Sequence, residues 1–167
     1  MVSKIGFGGS CHWCTEAIFL SLKGVAAVKQ GWIASDGQNS TFSEAVIVEF
    51  DAKAISLHTL IAVHLYTHSC TVSHSMRDKY RSAIYTFNER QATAAQNAID
   101  ALQPEFESVI ITKVIPHKRF RLNSDNYLNY YYSNPEKPFC QNIVNPKLRV
   151  LLARFADVAD AAKLIHL

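Results

Sequence analysis

The sequence predicts an α+β domain: a mixed β-sheet with helices packed against it. Three observations carry this expectation. About half of the 167 residues are apolar, enough for one core and too few for two comfortable ones, so residues 1–167 read as a single domain. Runs of strand character interleave with runs of helical period, without internal repeats or low-complexity tracts. Glycine, proline and asparagine punctuate the intervals.

The elements follow in chain order. "SKIGFGG" reads as a short strand that ends in a glycine turn, after which Ala17, Ile18, Leu20 and Leu22 mark a helix closed by Gly24. "VAAVKQGWIAS" and "EAVIVEF" read as neighbouring strands on either side of the polar turn "SDGQNS". Ser56 caps "LHTLIAVHLYTH", where Leu57, Leu60, Ile61, His64 and Leu65 share one helical face. "RSAIYTF" is strand-like, Asn88 with Gln91 forms a capping box for a helix that stops before Pro104, and "VIITKVI" is a β-branched strand. The remainder predicts a tyrosine-rich helix ending at Asn134-Pro135, an extended proline-rich loop "PEKPFCQNIVNP", and a last helix "KLRVLLARFADVADAAK".

Composition narrows the setting. The net charge of +3 comes from scattered lysines and arginines with no run of like charge, which argues against a nucleic-acid partner. No apolar stretch approaches the ~20 residues needed to cross a bilayer, and the first residues do not read as a secretory signal, so a cytoplasmic protein without membrane association is expected. Four cysteines are too few for a disulfide scaffold in a chain of this length, which points to reduced thiols with a chemical role.

The chemistry concentrates in "GGSCHWCTEAIF". Cys11 falls at a helix start, where free backbone amides and the macrodipole stabilise a thiolate and make a nucleophile. Cys14, one turn on, reads either as a buried small residue on the inner helix face or as the second thiol of a CxxC redox pair. A zinc site would draw on Cys11, Cys14 and the His68, Cys70 and His74 of "HSCTVSH", but that second half lacks zinc-clip spacing and a chain of this size has no need of a structural metal, so no metal is expected. The glycines match neither dinucleotide nor phosphate-loop patterns. In "EAVIVEFD" alternation sets Glu44 at the head of the apolar face carrying Val46, Val48 and Phe50. A carboxyl held there loses solvation and tends to keep a proton it can donate. His64, His68 and His74 read as helix-face and loop residues.

"GGSCHWCTEAIF", "SLKGV", "SEAVIVEFD", "KYRSAIYTF" and "NPEKPFC", in this order and at this spacing, resemble the peptide methionine sulfoxide reductase A family from about Gly6 to Cys140. The resemblance implies a two-layer α/β sandwich with a ferredoxin-like core. It implies an enzyme that reduces the S-sulfoxide of methionine, free or in proteins, back to methionine. Cys11 matches the nucleophile, His12 and Trp13 the aromatics that cradle the substrate methyl, Glu44 the acid at the sulfoxide oxygen, Tyr80 a tyrosine holding that oxygen, and Cys140 the resolving cysteine.

The implied cycle leaves Cys11 as a sulfenic acid, condenses it with Cys140, and uses thioredoxin as external reductant with no bound cofactor, in a monomer. On this reading the loop around Cys140 must swing over the site. The chain also departs from the family. Histidine stands at position 12 where phenylalanine is usual, "GWIASDGQNSTF" is shorter than the family loop, and Ser75 occupies an aspartate position that Asp78 or His74 could substitute. Two other readings stand beside it: a module that binds methionine-containing or oxidised peptides without turnover, and a zinc-stabilised domain.

Overall fold

Alternation in the first strand sets the two sides of the molecule. In the computed structural model, which describes residues 2–167, β1 (Val2–Gly8) sends Ile5 and Phe7 to one side and Gly6 and Gly8 to the other. It pairs antiparallel with β3 (Ser43–Asp51), placing Ile5 opposite Val48 and Phe7 opposite Val46. β2 (Val25–Ala34) lies beyond β3, and β4 (Ala83–Thr86) lies on the other side of β1. β5 (Lys113–Pro116) adds in parallel to β4, and β6 (Arg119–Leu122) closes the far edge against β2. The sheet is therefore mixed, in the order β5-β4-β1-β3-β2-β6.

The main core lies between the helices and the face carrying Ile5, Phe7, Val46, Val48 and Phe50. Against it pack α1 (His12–Leu20), α2 (Leu57–Thr67), α3 (Glu89–Leu102) and α5 (Asn145–Arg154). Phe19 of α1 stacks on Phe7 with ring centroids 4.6 Å apart, which fixes the helix over the strand that precedes it. The opposite face holds a smaller cluster of Ile33, Ala45, Ile47, Ala83 and Tyr85. Gly6 lets Ile33 and Tyr85 meet there, since a Cβ would come within 2.8 Å of both.

Capping agrees with the sequence at two helices. The Ser56 hydroxyl accepts from Thr59 N–H at the start of α2, and Asn88 accepts from Gln91 N–H at the start of α3. Gln91 reaches back to Phe87 N–H, one residue earlier than a capping box requires.

The C-terminal third differs from expectation. Arg119–Leu122 forms an edge strand that the short, charged "RFRL" does not announce. The tyrosine-rich segment divides into a single 3-10 turn, Asp125–Tyr127, and a short helix α4 (Tyr130–Ser133), because Asn129 adopts a left-handed conformation at φ 53°. "PEKPFCQNIVNP" is not an extended loop. Cys140–Val144 forms a π-helical turn leading directly into α5, and Pro146, which has no N–H to donate, sits in the first turn of that helix. A proline there removes a normal backbone bond without preventing helix, so the ladder widens where an extended chain was expected. α5 ends at Arg154, short of the helix expected through Lys163. Among the described residues, no helix is long and apolar enough to cross a membrane.

Candidate active site

The glycine turn delivers Cys11 to the N-cap of α1, where its carbonyl accepts from Cys14 N–H at 3.0 Å and Thr15 N–H at 3.2 Å. Gly9 has φ 150°, and a Cβ there would come within 2.5 Å of His68, so this approach requires glycine. The Cys11 thiol is half-buried and ionises more readily than an ordinary cysteine. The chief cause is a hydrogen bond from the Cys14 thiol; burial opposes it, the Trp13 N–H assists, the Glu44 charge opposes, and the Cys14 N–H assists. Cys14 is correspondingly held in its protonated form. The half-buried ammonium of Lys147, donating to the last-turn carbonyl of Thr67 at 2.7 Å, lies beside both thiols.

Glu44 heads β3 opposite Trp32 and is only 7% exposed. Its Oε1 accepts from the backbone N–H of His12 at 3.1 Å, so this carboxylate satisfies the first free amide of α1 where Cys11 offers no side-chain cap. His12 Nε2 lies 3.4 Å from the same oxygen, and Lys79 Nζ lies 3.7 Å from Oε2. Thiol and carboxyl are thus brought to one helix end by two regular elements.

A cavity of about 380 Å³ opens beside Cys11, lined in part by Tyr80, His74, Met76, Phe139, Ile143 and Lys147. Tyr80 is half-buried, with the Lys79 ammonium 5.2 Å from its ring centroid. Its loop is organised by Arg77, whose guanidinium donates to the carbonyls of Gly9, Ser69, Val72 and Tyr80. Ser75 is exposed; His74 lies on this cavity, whereas Asp78 lines a different one with Arg81 and Lys113.

Trp13 stacks on Tyr130 at 4.0 Å and 6°, with Phe139 edge-on at 5.5 Å, and its Nε1 is buried without a partner. His12 is not on the cavity wall. Its Nδ1 bonds the Gly31 carbonyl at 2.8 Å, with Trp32 edge-on at 5.1 Å. Cys140 is fully buried on the π-turn, and burial raises its thiol above the usual range. Its charge would be felt at Cys14 and at Tyr130. Cys70 is buried as well and does not line the Cys11 cavity.

Sequence reasoning assigned no role to several residues that shape this region. Glu16, the glutamate of the CHWCTE run, is buried and accepts from Asn129 N–H, Tyr130 N–H and Gln30 Nε2, which ties the segment before α4 to α1. A glutamate on the inner face of an apolar helix was the available signal. His64 and His68, read as helix-face and loop residues, are buried and stacked at 4.1 Å. His64 Nε2 bonds Gly8 O and His68 Nε2 bonds Ser82 Oγ, so they support the glycine turn from below. Among the described residues no group of three or more His, Cys, Asp or Glu is placed to hold a metal.

The chain is similar to known proteins over most of its length. The family model described as peptide methionine sulfoxide reductase matches residues 3–158. The peptide methionine sulfoxide reductase MsrA of Pasteurella multocida is 33% identical over 172 residues, covering 95% of this chain and 99% of the relative. The crystal structure of Mxr1 from Saccharomyces cerevisiae in reduced form superposes with a TM-score of 0.73 at 22% identity, over 83% of this chain and 89% of that one. Mxr1 in complex with Trx2 gives 0.61 at 20% identity, over 74% and 81%.

Proposed function

Because the chain belongs to the peptide methionine sulfoxide reductase family, and so reduces methionine sulfoxide with thiols, we propose that this reduction runs on the residues gathered at the head of α1. The Cys11 thiolate attacks the sulfoxide sulfur while a proton passes from Glu44 to the sulfoxide oxygen. The oxygen transfers to the thiol, methionine leaves, and Cys11 remains as a sulfenic acid. Tyr80, on the cavity beside Cys11, holds the sulfoxide oxygen, and Trp13, which does not line that cavity but packs edge-on against its Phe139, supplies the apolar surface for the methyl group. Cys140 then condenses with the sulfenic acid, releasing water and forming a disulfide. An external dithiol of thioredoxin type reduces it, a choice supported by the solved complex of the yeast relative with Trx2. The setting in this reading is a monomer in the cytoplasm.

The carrying observation is the convergence of a stabilised thiolate and a buried carboxyl on one helix N-terminus: Cys11 is its N-cap and Glu44 accepts its first amide. The test is anaerobic single-turnover reduction of the S- and R-epimers of methionine sulfoxide by the reduced protein. Methionine forms from the S-epimer alone, with one pair of thiols lost per methionine. A folded Cys11→Ser protein forms none, since an alcohol cannot supply the nucleophile here. Methionine produced by Cys11→Ser rejects the assignment, and a peptide-binding module without turnover produces none from the unaltered protein.

A further inference from the structure

Position 12 carries a titratable ring against the proposed acid. We propose that His12 and Glu44 share one proton and deliver it as a unit, with His12 as the positioning and proton-storing residue for Glu44; the proposal rests on the reading of Glu44 as the acid. Three features of the geometry argue for it. The Gly31 carbonyl can only accept, so the 2.8 Å contact puts a proton on Nδ1 and leaves Nε2 as the edge facing Glu44 Oε1 at 3.4 Å. That approach is fixed by the covalent frame, because the His12 N–H holds the same oxygen. The ring is 5% exposed, so water does not compete freely for Nε2.

The surroundings decide what the histidine adds. The His12 N–H at the head of the helix and the Lys79 ammonium both approach the Glu44 oxygens, and a carboxylate without a proton source beside it cannot protonate a sulfoxide. An imidazole beside the carboxyl keeps a proton within the pair in either arrangement: imidazolium with carboxylate, or imidazole with carboxylic acid. Two negative groups near the ring support the stored charge. Glu16 lies one turn along α1, and the Cys11 thiolate lies one residue back. From beside β6, the Asn123 amide donates to Gln30 Oε1 at 2.7 Å and lies 3.5 Å from Nε2, while Trp32 contributes only a ring edge.

In the chemical step the Cys11 thiolate, the sulfoxide and the dyad's proton give the sulfenic acid and methionine. The dyad is left as imidazole and carboxylate, and takes a proton from water before the next turnover.

The test compares single-turnover rates of the unaltered protein, His12→Phe and His12→Gln across pH. With His12 present the chemical step persists to higher pH. In both variants the descending limb moves to lower pH, so the rate falls by ~10²-fold near about pH 8 and far less near about pH 5, with substrate affinity unchanged. In a Glu44→Gln background His12→Phe has no further effect. Superimposable pH profiles in folded variants overturn the proposal. So does side-chain nitrogen NMR of the unaltered protein if it finds the neutral His12 ring protonated on Nε2 rather than Nδ1. The NMR arm needs no turnover, so a chain that fails to reduce methionine sulfoxide fails the proposed function while the tautomer remains readable.

Discussion

The wall of the site made by α1 and β3 is held by register, whereas the cover made by residues 123–144 is held by side-chain contacts: the Glu16 carboxylate, the stacked Tyr130 ring, and Tyr131, Cys140 and Val144 set into the main core. On the wall, strand alternation and the first helical turn fix each functional atom. Glu44 pairs with Trp32 in the ladder and accepts the first free amide of α1, so its oxygens cannot move far without breaking both elements. In the cover, a 3-10 turn, a left-handed asparagine and a four-residue helix have little regular structure of their own. They are held over the site by Glu16, which takes two of their backbone amides, and by the stacking of Tyr130 on Trp13. The proposed chemistry is thus attached to elements that form locally, and enclosure to contacts that exist only once the chain has folded.

If the wall carries the chemistry, its acid should give the largest effect. Glu44→Gln keeps a carbonyl oxygen for the His12 amide and removes the transferable proton, so the first turnover should slow by about 10²- to 10⁴-fold with the fold intact. Rapid-quench measurement of methionine formation reads this directly. An unchanged rate would leave Glu44 as a helix cap only and erase the distinction between the two regions.

Breaking the cover should act on order before rate. Glu16→Ala orphans the amides of Asn129 and Tyr130 and frees one Gln30 donor, at about 1–3 kcal/mol for each buried group left unpaired. Hydrogen exchange should accelerate at residues 124–133 while β1 and β3 stay protected. The first turnover should slow less than in Glu44→Gln, because the thiol and the acid stay where α1 and β3 hold them. Equal acceleration across the sheet would show that Glu16 holds the whole molecule rather than its cover.

The same division explains what was legible in the sequence. β1, β3, α2 and α3 show in period and caps because each is decided by its own residues against one shared core. Cys11 and Glu44 were legible because one starts a helix and the other heads an apolar strand face. β6 was not legible, since four residues with alternating charge form a strand only because β2 offers a free edge. Proline at 146 suggested a loop, yet it sits in the opening turn of α5, where a missing N–H costs little. His64 and His68 look polar in a linear reading, but the glycine turn supplies a backbone carbonyl for His64 and Ser82 its hydroxyl for His68. Their neutral form is enforced by burial, which pulls His68 down to about 3.

The smallest effect on the first turnover belongs to Cys140, and it separates wall from cover most sharply. In the proposed cycle three thiols compete to resolve a Cys11 sulfenic acid. Cys14 lies one turn along the same helix; Cys70 and Cys140 are both buried, and neither lines the Cys11 cavity. Cys140 sits on a π-turn, a helical form that occurs mostly as single turns and often at functional sites. A resolving thiol in the cover predicts that Cys140→Ser completes the first reduction at an unchanged rate and then stalls when driven by thioredoxin. Peptide mapping of the unaltered protein after one turnover should recover a Cys11–Cys140 linkage, which requires Cys140–Val144 to unwind and hydrogen exchange there to exceed that of the rest of α5. A dominant Cys11–Cys14 linkage, with Cys140→Ser still cycling, would place resolution on the wall and reduce residues 123–144 to a cover.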